Sequence, residues 1–409
     1  MTRPRRPFLA LLLLASTAAN AHKAPPPPPP PPVITHPGTL IDHVNGLTLD
    51  DANHLQHFTA LTLDADGHVT ALLQPQDARP RMTFALDAHG ATLVPGLVAG
   101  QARLVATGLA MISGGTPLSA LPAPRPEDRD LAFATLEKAL LARGITTATD
   151  VGTTIEDWQV YRRAGDTGRL LLHVVAYADG LAQMIVIGGP NPGPWLYEDR
   201  LKLAGVWLPI ATAPDRHPGW SAVALGQPAT GPNAEIQLKN ELSRAAMDHF
   251  QPLVGAPDAA AIHLALDAIA DLTETYGTQR GWRIATPATP APADAQRLAP
   301  LGATLTPPDA LSAAPDSLAP SLADPAPAPY PAALTADMLA ARTAQPAQSA
   351  RVEAHLGRLT PGHDADFLLL DADPTGATAP HLLETWVSGR FTWSASGKTA
   401  MGALAPDQK

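Results

Sequence analysis

The sequence predicts an α/β protein: a (β/α)8 TIM-like barrel, incomplete at its last unit, beside a small β-sandwich built from both chain ends. Three observations predict it. From Val94 to about Pro308, short apolar runs alternate with helical stretches, which at this spacing means parallel βα units. Before that region and after Arg351 the pattern is strand-only. Between Pro308 and Asp316 the chain is too short for a crossover helix plus strand, which needs at least about ten to twelve residues.

Residues 1–21 read as an export signal, with Arg3, Arg5 and Arg6 as a basic start, Phe8 to Ala15 as an apolar core, and Ala19-Asn20-Ala21 as a cleavage site. The apolar run falls short of the roughly 20 residues that span a bilayer. Arg5-Arg6-Pro7-Phe8-Leu9 also resembles a twin-arginine signal, so the export route stays open between the two, and the expected destination is periplasmic or secreted. Residues 22–32 form a spacer, because the prolines Pro25 to Pro32 supply no N–H for helix or sheet.

Residues 33–93 read as the first part of the β domain. Leu61, Leu63, Val69 and Ala71 to Leu73 flank the turn Asp64-Ala65-Asp66-Gly67 as a hairpin. A second pair of strands, Met82 to Leu86 and Thr92 to Val94, is joined by Asp87-Ala88-His89-Gly90. The barrel region is residues 94–350. Its strands are expected at Ile145–Asp150, Leu170–Ala176, Gly205–Ile210, Gln251–Gly255, Trp282–Ala285 and Ala303–Thr306. Helices are expected at Asp130–Ala142, Thr154–Ala164, Ala234–His249, Ala260–Tyr276 and Pro292–Leu301. A doubly wound sheet is the competing architecture, but no Gly-rich phosphate loop follows the first strand. Residues 351–395 return to short strands and complete the β domain, and 396–409 form a tail.

Composition narrows the function. Hydrophobic residues make up 45% of the chain and charged residues 16%, and the formal net charge is −10. A chain so acidic is not drawn to nucleic acid or to an anionic membrane surface. With no cysteine, disulfides, thiolate metal sites and a cysteine nucleophile are all excluded. No G-x-S-x-G elbow is present.

Four strings carry a family resemblance. They are Asp87-Ala88-His89-Gly90-Ala91-Thr92-Leu93-Val94-Pro95-Gly96-Leu97, Gly144-Ile145-Thr146-Thr147-Ala148-Thr149-Asp150-Val151-Gly152, Leu196 to Val206, and Gly357-Arg358-Leu359-Thr360-Pro361-Gly362-His363-Asp364-Ala365-Asp366-Phe367. Together with the layout they resemble the amidohydrolase superfamily, in particular the large, often exported branch that contains N-acyl amino-acid hydrolases. The resemblance implies metal-dependent hydrolysis of C–N bonds other than peptide bonds, with zinc or another divalent metal held at the C-terminal ends of the barrel strands.

At those ends the residues depart from the family pattern. Gln101 and Arg103 stand where the first strand's two histidines belong, and neither an amide nor a guanidinium suits a divalent metal. Trp207 replaces the lysine of the fourth strand, Gly255 the histidine of the fifth, and Thr286 the histidine of the sixth. Asp316 is the one candidate survivor, as the catalytic aspartate of the eighth strand, with a plain loop carboxylate as the competing reading. None of the 14 histidines forms an H-x-H pair; His173, His217, His249 and His263 are scattered singly through the barrel region. The expectation is therefore a catalytically silent amidohydrolase-like protein with no cofactor, which binds a small-molecule ligand or partners itself or an active relative. The alternative is an active hydrolase with an atypical site drawn from Asp316, Gln101 and His217.

Overall fold

A computed structural model describes residues 36–210, 234–308, 311–323, 330–399 and 401–403. The export signal, the proline spacer and His217 lie outside them. Two sheets make the β domain. The first runs β18 (Gly402–Ala403), β6 (Met82–Asp87), β1 (His36–Asp42), β4 (Ala60–Leu63), β5 (Val69–Leu73). The second runs β17 (Arg390–Ser394), β16 (Leu382–Val387), β15 (Phe367–Leu370), β7 (Thr92–Pro95), β2 (Asn45–Leu49), β3 (Leu55–Phe58). The chain ends do share a sheet: Leu368 pairs with Val94 and Leu369 with Leu93 in the antiparallel β7–β15 ladder.

Side-chain alternation explains how β15 is buried on both faces. Phe367 and Leu369 point between the two sheets, toward Ile41, Leu61 and Leu93. Leu368 and Leu370 point the other way, into a cluster with Leu47, Val94, Tyr330 and Leu339. The expected strands at 82–86 and 92–94 form, but they enter opposite sheets and do not pair with each other. The turn between them bonds instead to the corner between β1 and β2. Ala88 N donates to Asp42 O at 3.0 Å, Gly90 N to His43 O at 2.7 Å, and Asn45 N to Ala91 O at 3.0 Å. Both chain passages thus cross between the sheets side by side.

The barrel sheet holds seven parallel strands in sequence order: β8 (Leu97–Ala102), β9 (Ile145–Thr153), β10 (His173–Asp179), β11 (Leu201–Pro209), β12 (Gln251–Gly255), β13 (Trp282–Ala285) and β14 (Ala303–Thr306). Among the described residues β14 and β8 do not pair, so the sheet curls without closing. Beyond β14 the described chain next forms the helix Pro315–Ala323, which packs on the helices Leu104–Ile112 and Pro126–Leu141.

Period-two burial again sorts the side chains. Val174, Ala176, Val206 and Leu208 face the outer helices, with Leu136, Ile262, Leu266 and Ile269 among their neighbours. Val175, Tyr177, Trp207, Leu253 and Ala285 face inward. Ala347, Ala350, Val352 and Leu356 plug this interior from the N-terminal end of the strands.

Three barrel strands differ from expectation at their boundaries; the second runs on to Thr153, past Asp150. The third strand begins at His173, not Leu170, because the N–H groups of Leu171 and Leu172 donate to Glu137 Oε1 at 2.7 and 3.0 Å and are withheld from the ladder. It continues to Asp179, three residues past the expected end. The fourth begins at Leu201 and carries Gly205 internally. A first side-chain carbon at Gly205 would lie 2.1 Å from Gln251 O and 2.5 Å from the Tyr177 ring, so only glycine fits there.

Candidate functional site at the barrel mouth

The mouth is the C-terminal end of the seven strands, where barrel sites are built. Alternation places Asp179 and Trp207 on its inner side, and Gln101 and Arg103, at the irregular end of β8, line the same small space beside Trp207. Gln101 is 3% exposed, and its Nε2 donates to Thr306 O at 3.1 Å and Pro307 O at 3.2 Å. Trp207 is buried among Val151, Leu253 and Ala285. Arg103, Asp179 and Trp207 converge on Gly152, whose φ is +78°. A first side-chain carbon there would lie 3.5 Å from Arg103 Nη1, 3.8 Å from Asp179 Oδ1 and 3.8 Å from Trp207 Cδ1. Burial lowers the Arg103 pKa, an effect that Asp179, Asp150 and Asp157 partly offset.

Among the described residues these side chains leave little space where they meet. The space left between Gln101, Arg103, Val151, Trp207, Leu311 and Ser312 is about 20 Å3, room for about one water molecule. Gly255 ends β12 and adds no side chain. Thr286 is turned to local structure: its N–H donates to Thr306 O at 3.1 Å and its hydroxyl accepts from Ala288 N at 3.0 Å.

Asp150 has the outward parity of Ala148 and serves the helices. Its Oδ1 accepts from Leu104 N at 2.8 Å, and its Oδ2 accepts from Thr153 Oγ1 at 2.7 Å and Tyr161 OH at 2.8 Å. Burial pushes its carboxyl up to about 6, with Asp157 adding in the same direction. Asp316 sits apart from the mouth group, exposed in the first turn of Pro315–Ala323, where it accepts from Leu118 N at 3.1 and 3.3 Å. His173, His249 and His263 also lie elsewhere, each with a partner: Asp366 at 3.1 Å, Arg280 at 3.0 Å and Asp294 at 2.9 Å.

The structure therefore brings together Gln101, Arg103 and Trp207, and adds Asp179. Sequence reasoning missed Asp179 by ending its strand at Ala176; continuing the alternation through Tyr177 puts Asp179 on the inner face. Among the described residues, an amide, a guanidinium, an indole and one carboxylate do not fit a divalent metal. The set lacks imidazole, and Arg103 places a positive charge in the same space.

No family model and no curated protein matches this chain. Solved structures do. An uncharacterized metal-dependent hydrolase from Pyrococcus horikoshii aligns over 83% of this chain and 98% of its own, with 13% identity and a TM-score of 0.59. A Xaa-Pro dipeptidase with bound methionine aligns over 87% and 99%, with 14% identity and a TM-score of 0.57. An adenosine deaminase from Xanthomonas campestris with bound zinc aligns over 89% and 95%, with 14% identity and a TM-score of 0.54. The chain shares its fold with these hydrolase, dipeptidase and deaminase structures.

Proposed function

We propose that the protein is a non-hydrolytic member of this fold whose retained role is binding. The observation that carries the reading is the packing of Arg103 and Trp207 beside Gln101, which among the described residues leaves about 20 Å3 between them. A water activated between metal ligands and a substrate carbonyl needs both the ligands and the space. A more spacious cavity, of about 450 Å3, lies at the open seam between β8 and β14. Leu97, Val98, Leu305, Pro307, Leu311 and Pro346 line it, which suits an apolar small molecule.

The test is turnover of a panel of N-acyl amino acids and dipeptides by the mature protein, with and without added zinc or manganese. No metal-dependent hydrolysis is expected. Metal-dependent hydrolysis that is abolished by Asp316→Asn would overturn the reading in favour of an atypical active site.

A further inference from the structure

At the opposite end of the barrel from the mouth, three chain segments meet. They are the β4–β5 hairpin turn, the loop before β11, and the Pro361–Asp366 stretch before β15. They bring His68, Asp199 and Asp364 together, with one ligand atom from each lying within 4.8 Å of the other two. Backbone bonds fix the juxtaposition: Val69 N donates to His363 O at 2.8 Å and Ala365 N to Gly67 O at 2.9 Å.

The imidazole is oriented from behind. His68 Nδ1 lies 3.2 Å from Asp64 Oδ2, while Nε2 lies 3.4 Å from Asp364 Oδ1. His68 thus stands between two carboxylates, and a ring held by Asp64 through Nδ1 presents Nε2, together with Asp364 Oδ1 and Asp199, to the position a cation would take. Asp364 supplies the independent sign of a missing partner. It is 2% exposed, and its buried Oδ2 accepts no hydrogen bond.

We propose that His68, Asp199 and Asp364 bind a divalent cation, with Asp64 as the residue that orients His68. One imidazole and two carboxylates form a donor set suited to zinc with water completing the shell. The ion would tie the N-terminal hairpin, the barrel and the C-terminal segment together, a structural role separate from the chemistry of the mouth. It also limits the expectation of a metal-free protein to the mouth alone.

The experiment loads the mature chain with Zn2+ alone, dialyses it, and measures bound metal and unfolding temperature. One zinc per chain and a raised unfolding temperature are expected. Asp364→Asn and Asp199→Asn should each abolish both effects, and Asp64→Asn should weaken binding about ten- to a hundredfold. Because Asp364→Asn removes an anion from a buried acidic group, the zinc-free variant should unfold no earlier than the wild type, which separates loss of metal from loss of fold. X-ray absorption of the zinc complex should show a single imidazole. No zinc retained by the wild type, or zinc retained by Asp364→Asn, overturns the proposal. So does binding lost in Asp66→Asn, on the exposed side of the turn, but kept in Asp364→Asn.

Discussion

Gln101 of the first barrel strand is bonded through its Nε2 to the main-chain oxygen of Thr306, at the end of the seventh. This contact joins the two strand ends that an eighth strand would otherwise separate. Gln101 is thus part of the seam. Replacing it by alanine removes both this bond and the one to Pro307 O. Gln101→Ala should cost about 1–2 kcal/mol, read as a lower denaturant midpoint with an unchanged slope.

Trp207 is 1% exposed and fills the barrel interior. Trp207→Ala should destabilise the protein by about 3–5 kcal/mol. Loss of less than about 1 kcal/mol in equilibrium unfolding would mean that the indole is not a packed part of the core.

Changing Gln101 and Arg103 to histidine should not create a hydrolase. The pair would still have Trp207 beside it and Gly255 and Thr286 at the ends of β12 and β13, none of them a zinc ligand, so a zinc ion would lack the other protein ligands. The check is an amidase assay of the double variant with added zinc, where the expected rate is that of the wild type.

Stability should fall as pH rises toward neutrality. Burial pushes Glu137 from 4.5 up to about 7, although Leu171 N, Leu172 N and Arg200 act in the opposite direction. The folded state therefore holds this proton more tightly than the unfolded chain does. Stability is lost as the pH climbs from about 4.5 to about 7, a difference on the order of 3 kcal/mol for this group. Asp150 works in the same direction over a lower window, from 3.8 to about 6. Glu137→Gln keeps an oxygen for the two N–H groups and carries no charge. Thermal unfolding of this variant followed across the window should therefore show a flatter pH profile than the wild type.

Export should remove residues 1–21 and leave His22 at the new N-terminus. Mass spectrometry of the protein recovered from the producing cell's periplasm or medium should show that end. An intact Met1 would count against export.

The sequence by itself determined the elements whose signals are local. Gln251–Gly255, Trp282–Ala285, Ala303–Thr306 and Pro292–Leu301 fall where apolar runs and helical spacing place them, bounded by Gly, Pro or Asp. It also determined that Gln101, Arg103, Trp207, Gly255 and Thr286 stand at the strand ends, since each follows from a motif beside it. Tertiary structure decided where local preference is outbid by a distant partner. Glu137, far away in sequence, takes the N–H groups of Leu171 and Leu172 and shifts a strand by three residues. The corner at Asp42 and His43 draws the turn after β6 away from a hairpin. His68, Asp199 and Asp364 come from three separate segments, and only the pairing of the hairpin turn with the Pro361–Asp366 stretch brings them within reach. Periodicity encodes which face a side chain takes. Which side chains then meet depends on chain closure between distant segments, and that is fixed only when the sheets assemble.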